Sequence, residues 1–572
     1  MATDASAPSY RMRRLFVLGL FALGMLTLVA RAADLQLLKR DFLRNEGDAR
    51  QLRVLPVPAH RGMITDRNGE PLAISTPIDS VWANPQETLA APERLNALAR
   101  VLDMRQRDLE QRLNERAGRE FVYLRRHVTP GMAAQVRALD IPGVGLQREY
   151  RRYYPMAEVS AHVLGFTDID DRGQEGMELA YDEWLVGSAG AKRVIRDRLG
   201  RVIRDVESIR PARPGRDLAL SIDQRLQYLA YRELKAQVQA EGARGGSVVI
   251  LDVQSGEVLA MVNQPSYNPN NRGSLRGDVF RNRAVTDLFE PGSTIKPFTV
   301  VAALESGRYR ADSIIDTSPG RLAVGRHLVV KDFRDYGRID MAGLLVKSSN
   351  VAATRIALGL EPRQLWSVFQ RVGFGQLTSS GFPGEAVGQL PPYARWREVE
   401  RATLSYGYGL SMTPLQLAQA YAALGNDGEM ANVTFLRDAP ETAPRRVINP
   451  EVARQVRHLL EGTVSDQGTG ARAAVAGYRI AGKTGTARKS VAGGYSEDRY
   501  IATFAGIAPL GAPRLAMVVT IDEPSRGDYY GGLVAAPVFG RVMAGALRLL
   551  DVAPDDLPEL RADEHPREGG PA

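Results

Sequence analysis

Ser293 and Lys296, in the stretch FEPGSTIKPFTV, stand three residues apart, a spacing that sets two side chains on one helix face, one turn apart. A serine hydroxyl needs a base before it can attack a carbonyl, and a guanidinium cannot serve because it keeps its proton. Lysine can, once burial or a second cation lowers its pKa. The choice stands out in this chain, which holds 74 lysines and arginines. Only Lys39, Lys192, Lys235, Lys296, Lys331, Lys347, Lys483 and Lys489 are lysine. Pro291-Gly292 breaks the chain just before the pair, and FTVVAALESG after it is apolar and helical, so Ser293 is expected at a helix start. Free backbone N–H groups there favour developing negative charge, and Pro297 is tolerated this close to the first turn. By itself the pair is weak evidence. Its plain alternative is a surface lysine at a helix N-terminus, although that is an electrostatically poor place for a cation.

Two distant stretches supply what such a pair lacks. Lys347-Ser348-Ser349-Asn350 follows the apolar helix MAGLLV. Ser348 there is suited to relay a proton and Asn350 to orient lysine or a substrate amide. Lys483-Thr484-Gly485-Thr486 begins an expected strand whose glycine lets a substrate backbone lie close. Lys483 and the hydroxyls of Thr484 and Thr486 offer an anion site for a carboxylate. Alone, SxN reads as a cap or turn and KTG as a turn. In the order SxxK, SxN, KTG the three together are far more specific than any one.

The elements that must position these residues are legible in outline. PARPGRDLALSIDQRLQ marks a junction into an amphipathic helix through Val238, and GGSVVILDVQSGEVLAMV reads as a hairpin turning at Gln254-Ser255-Gly256. That hairpin and the late strands IATFAGIAPL and RLAMVVTIDEP are expected to join one antiparallel sheet flanked by helices, an α+β domain closed by the helix AAPVFGRVMAGALRLLDV. Upstream, RGMITDRNGEPLA reads as strand, turn, strand, residues 35–55 as a charged helical stalk, and residues 90–140 as surface helices rich in arginine. The tail from Ala553 is polar, proline-rich and expected to be disordered.

The N-terminus carries a different signal. Arg11, Arg13 and Arg14 precede an apolar run from Leu15 to Ala30, nearly long enough to cross a hydrocarbon core. Basic residues ahead of the span place the N-terminus in the cytoplasm and the rest of the chain outside. A cleaved signal peptide ending at Ala30-Arg31-Ala32 is the alternative; the length of the run favours an uncleaved anchor.

Composition excludes several classes. There is no cysteine, hence no disulfide, thiol nucleophile or thiolate metal site. The six histidines show no metal-ligand spacing. The net charge of +8 is dispersed among 66 acidic residues with no basic run interleaved with aromatics, which argues against nucleic acid.

The three motifs in their order resemble those of the penicillin-binding serine transferases, specifically the class B peptidoglycan transpeptidases. RGMITDRNG and GQEGMELAYDEWLVG are similar to that family's pedestal motifs, SYGYGLSMTPLQLAQAYAALGNDG and YYGGLVAAPVFG to transpeptidase segments, and FEPGST with GFPGE to the division-specific, FtsI-like branch. The resemblance implies a cytoplasmic tail over 1–14, a transmembrane anchor over 15–33, a mixed α/β pedestal of dimerisation type over 34–225, a β-lactamase-like transpeptidase domain over 226–552 and a tail over 553–572. It implies Ser293 as nucleophile and Lys296 as base, with Ser348, Asn350 and Lys483 completing the catalytic group. Backbone N–H groups of Ser293 and Thr486 would form the oxyanion hole. Thr484, Gly485, Thr486 and Ser349 would contact a D-Ala-D-Ala donor, with no metal or organic cofactor. Implied partners are stem peptides, β-lactam antibiotics, a membrane glycan polymerase and division proteins in the inner membrane of a bacterium, with the catalytic domain periplasmic. Alternatives within the same motif set are an elongation-type transpeptidase, a D,D-carboxypeptidase, a β-lactam sensor, or a division scaffold with little turnover.

Overall fold

The computed structural model describes residues 11–40, 52–196, 202–273, 277–326, 328–440, 442–491 and 494–557. These group into two compact units: residues up to 59 with 77–150 and 188–213, and residues 60–76 with 151–187 and everything from 214 onward.

In the first unit the helix Arg11–Ala33 carries no buried residue. It is long and apolar enough to cross a membrane. Of the expected stalk, residues 41–51 lie outside the described residues, and Leu52–Val57 is a β-strand, not helix. The reason is pairing: that stretch is hydrogen-bonded antiparallel to Gly190–Arg196, which pairs in turn with Val202–Arg210. The 90–140 region does form the helices Pro92–Val101, Gln106–Asn114 and Pro130–Ala138, but a strand, Val122–Val128, interrupts them. Its alternation buries Val122, Leu124 and Val128, and Leu124 and Val128 pack against Leu95, Leu98, Leu109 and Leu113.

In the second unit, Ile64–Thr65 turns through Asp66–Gly69 to pair with Pro71–Ala73, as the turn chemistry requires. The motifs around Arg61, Arg152 and Glu178 meet in one buried ion cluster. Glu178 is fully buried and receives Arg61 at 2.8 Å and Arg152 at 2.6 Å. Arg61 also pairs with Asp182 at 2.7 Å, so three stretches far apart in sequence are tied by buried, paired charges.

The rest of this unit is built on five antiparallel strands, β1 (Gly245–Asp252), β2 (Val258–Gln264), β3 (Ala481–Val491), β4 (Gly494–Ala508) and β5 (Leu515–Asp522), in the order β2-β1-β5-β4-β3. Period two sorts their side chains. Val248 and Ile250 pack with the helices α1 (Gln224–Ala240) and α6 (Ala536–Leu549) on one face. Val249 and Leu251 pack with α2 (Lys296–Glu305), α3 (Met341–Lys347), α4 (Asn350–Gly359) and α5 (Pro414–Gly425) on the other. Every residue of α5 is buried, so it is the central helix of that layer. Strand β3 lies at the sheet edge with one side of its backbone unpaired. Ala481 packs into the α2 layer, so alternation turns Lys483 and Gly485 towards α2 as well.

Candidate active site

Ser293 lies in a single 3-10 turn, Gly292–Ile295, and the α-helix proper starts at Lys296, one turn later than the sequence suggests. Pro297 then falls at the helix N-terminus, where its missing N–H removes no helical bond. The turn is held from three sides by close backbone approach. Gly292 has φ of +53° and donates its N–H to Gly407 O at 3.1 Å. A Cβ on Gly407 would stand 2.0 Å from Gly292 O, so this segment can lie so close to the Ser293 turn only with glycine at 407. A Cβ on Gly485 would stand 2.8 Å from Thr294 Cγ2, which brings β3 against the opposite side. Beneath, fully buried Tyr421 donates its hydroxyl to Thr294 O at 2.8 Å.

Lys296 and Lys483 are both completely buried. Lys296 Nζ donates to Ser348 O at 2.6 Å, Asn350 Oδ1 at 2.7 Å and Ser348 Oγ at 3.2 Å. Lys483 Nζ donates to the same Ser348 Oγ at 3.0 Å. The spacing argument put Lys296 within reach of Ser293. Here its ammonium is drawn instead to the carbonyl and carboxamide oxygens opposite, which are stronger acceptors for a buried cation. Burial, reinforced by the neighbouring Lys483 charge and opposed by Asp332, holds the Lys296 pKa well below its ordinary value of 10.5. Burial also pushes Lys483 down to about 7. Burial and the neighbouring Lys483 charge thus both favour the neutral form of Lys296.

The KSSN stretch is the hinge that presents these acceptors. Ser348 ends α3 in the left-handed region, φ +56°, and this turn aims its hydroxyl at both lysines. Ser349 does not take the expected place beside substrate. It is fully buried, accepts from Ala352 N at 2.9 Å as the N-cap of α4, and donates to Asp332 at 2.5 Å. Asp332 is the residue that sequence reading missed. Its carboxylate also accepts the backbone N–H of Asn350 at 2.5 Å and of Val351 at 3.0 Å, so it anchors α4 and thereby fixes Asn350 against Lys296. The only signal was an aspartate after the strand LVVK, and nothing in spacing connected it to residue 350. Asp332→Asn is expected to cost about 1 kcal/mol of stability, as loss of a helix cap does. It should slow acylation by about 10- to 100-fold through misplacement of Asn350. Urea unfolding together with acylation kinetics by a chromogenic β-lactam checks both; unchanged kinetics would remove Asp332 from the site.

On β3, Thr484 Oγ1 lies 2.8 Å from Thr469 Oγ1, and Thr486 Oγ1 accepts Gly531 N at 3.0 Å. Gly531 is required because a Cβ there would stand 2.3 Å from Gly485 O. The structure therefore brings Ser293, Lys296, Ser348, Asn350 and Lys483 together from three separate segments, with Thr484, Gly485 and Thr486 along the adjoining edge. No group of metal-ligating side chains occurs among the described residues. The arrangement suits a serine ester chemistry with an anion site beside it.

Residues 246–544 match the penicillin binding protein transpeptidase domain, and residues 56–220 the penicillin-binding protein dimerisation domain. The chain is 44% identical over 544 residues to peptidoglycan D,D-transpeptidase FtsI of Escherichia coli (strain K12), covering 94% of this chain and 92% of that protein. Among solved structures it is similar to the TP domain of Burkholderia pseudomallei penicillin-binding protein 3, with TM-score 0.55 and 43% identity over 59% of this chain and 98% of that one. It is also similar to a peptidoglycan synthetase from Bifidobacterium adolescentis, with TM-score 0.70 and 25% identity over 89% of this chain and 98% of that one.

Proposed function

The chain belongs to the penicillin-binding protein transpeptidases, and on that premise we propose that it cross-links peptidoglycan stem peptides in septal wall synthesis through an ester on Ser293. The observation that carries this reading is the convergence of Lys296 and Lys483 on Ser348 Oγ, at 3.2 and 3.0 Å, next to the Ser293 turn.

Neutral Lys296 takes the proton of Ser293 as Oγ attacks the carbonyl between the two terminal D-alanines. The N–H groups of Ser293 and Thr486 receive the oxyanion. Lys483, Thr484 and Thr486 hold the terminal carboxylate. The tetrahedral intermediate collapses, the C–N bond breaks, and D-alanine leaves with a proton relayed from Lys296 through Ser348. Asn350 keeps the lysine oriented throughout. An amine from a neighbouring stem peptide then attacks the ester and gives up its proton to Lys296, which returns it to Ser293 Oγ as the cross-link forms. A β-lactam enters the first half of this cycle and stops there, because its ring-opened leaving group stays attached.

The protein is a single-pass inner-membrane protein, and Arg11, Arg13 and Arg14 ahead of the span orient its N-terminus to the cytoplasm and its catalytic unit to the periplasm. A membrane glycan polymerase and division proteins are the partners this placement calls for. Intact-mass analysis after incubation with a penicillin tests the chemistry. One adduct of the drug's full mass, mapped to the peptide holding Ser293, is expected. An unmodified chain, or an adduct elsewhere, refutes the acyl-serine reading.

A further inference from the structure

In the proposed cycle the resolving amine enters where the first amine left. By microscopic reversibility its nitrogen takes the position of the departing D-alanine nitrogen, beside the Ser348 hydroxyl that passed the proton. That hydroxyl is two residues from Asn350, and Asn350 is held by the pair Lys331-Asp332. Asn350 Nδ2 donates to Lys331 O at 3.2 Å, and the Asp332 carboxylate accepts the Asn350 N–H at 2.5 Å. Phe333 follows directly and is 90% exposed; among the described residues no other large apolar side chain is as open to solvent. A phenyl ring left in water gives up the burial for which a fold normally keeps one.

The strand that delivers Phe333 adds a second unpartnered feature. Arg321–Val324 and Leu328–Lys331 pair as a hairpin, and Leu322, Val324, Leu328 and Val330 pack with Val351 of α4 and with Ala402. Period two turns Arg321, Ala323, Val329 and Lys331 the other way, and all four are exposed. Arg321 and Lys331 stand directly opposite in register, so two cations lie side by side. Neither side chain has an ion pair or a hydrogen bond among the described residues. Like charges in that position weaken a hairpin, and this hairpin is the one whose last carbonyl holds Asn350.

We propose that Phe333, Lys331 and Arg321 bind the acceptor peptide, Phe333 packing on the methylene arm that carries its amine and the two cations receiving its C-terminal carboxylate. The assignment rests on the transpeptidase reading above and adds no bond-making step to it. It separates the two substrates in space. The donor is held by β3 through Lys483, Thr484 and Thr486, and the acceptor by the hairpin that ends at Lys331. Two adjacent cations without a carboxylate of their own match a peptide terminus, and an exposed ring matches hydrocarbon.

A peptidyl-D-alanyl thioester donor separates the two steps in the full-length protein. Acylation of Ser293 is read from thiol release, and use of the acceptor from the ratio of aminolysed to hydrolysed product. The acceptors are a peptide with a side-chain amine and a free C-terminal carboxylate, and the same peptide as its C-terminal amide. The parent protein is expected to need about fivefold more of the amide for equal aminolysis, a difference that fades in high salt. Arg321→Gln combined with Lys331→Gln should bring the two acceptors level, and its melting point should hold because a like-charge contact is removed. Phe333→Ser should raise the requirement for both acceptors by about tenfold. In both variants aminolysis should fall by more than acylation does. Acylation and aminolysis falling together would make the hairpin a support for Asn350 only and overturn the proposal. So would a parent protein that uses acid and amide equally. Hydrolysis with no aminolysis in the parent removes the acceptor site while leaving the acyl-serine standing. If the parent shows neither thiol release nor a penicillin adduct, the transpeptidase reading itself falls, and this one with it.

Discussion

Ser293→Ala is expected to abolish both the penicillin adduct and cross-linking while leaving the protein folded. Ser293 is half-buried on a turn whose shape is set by Gly292, Gly407, Gly485 and Tyr421. Removing one oxygen from such a place disturbs little packing, so the thermal midpoint should move by no more than about a degree or two. Turnover should fall by at least about 10⁴-fold, since no other group can form the ester and residual rate comes from binding alone. Cross-linked product from a muropeptide assay, set against the melting curve, separates loss of chemistry from loss of fold. Persistent cross-linking in a folded Ser293→Ala protein would leave a scaffold as the better description of this chain.

Lys296→Arg is expected to be nearly as damaging although it conserves charge. The site holds lysine because a buried ammonium can shed its proton, whereas a guanidinium keeps it at any ordinary pH. Arginine is also larger and planar, and the space around Lys296 Nζ is already filled by Ser348 and Asn350 at 2.6 and 2.7 Å. Acylation should fall by about 10³-fold or more, within the range that loss of a general base produces. The pH dependence follows from the same two lysines. Lys296 serves only when neutral, so kcat/KM should fall as pH drops through its depressed pKa. Lys483 attracts the donor carboxylate only when charged, and burial brings its pKa to about 7, so affinity should weaken as pH rises past that value. A bell-shaped kcat/KM profile is the expected result, with the acid limb from Lys296 and the alkaline limb from Lys483. A profile with no acid limb at any pH where the protein stays folded would exclude lysine as the base.

The proposed catalytic group was legible because it is carried by short motifs, SxxK, SxN and KTG, which the fold brings together. The hairpin at Gln254-Ser255-Gly256 and the α1 helix were legible too, because turn chemistry and apolar spacing are local properties. Leu52–Val57 and Val122–Val128 were not, since each is a strand only by virtue of partners remote in sequence. Ser349 shows the same limit within the site. Its type fits a substrate hydroxyl, but a cap on α4 and the Asp332 carboxylate claim it first.

The sequence by itself therefore determined the reaction class: a serine nucleophile, a lysine spared from replacement by arginine, and a second lysine on a strand with hydroxyls around it. The tertiary structure decided what those residues are. Lys296 and Lys483 are suited to the proposed parts of base and anion anchor because the fold buries both against one Ser348 hydroxyl; burial lowers both pKa values, and the Lys483 charge lowers that of Lys296 further. Asp332 anchors the site only because folding sets it at the N-terminus of α4. Spacing along a chain records which groups share a helix face or a strand; it does not record which elements meet, and in this site the electrostatics arise where they meet.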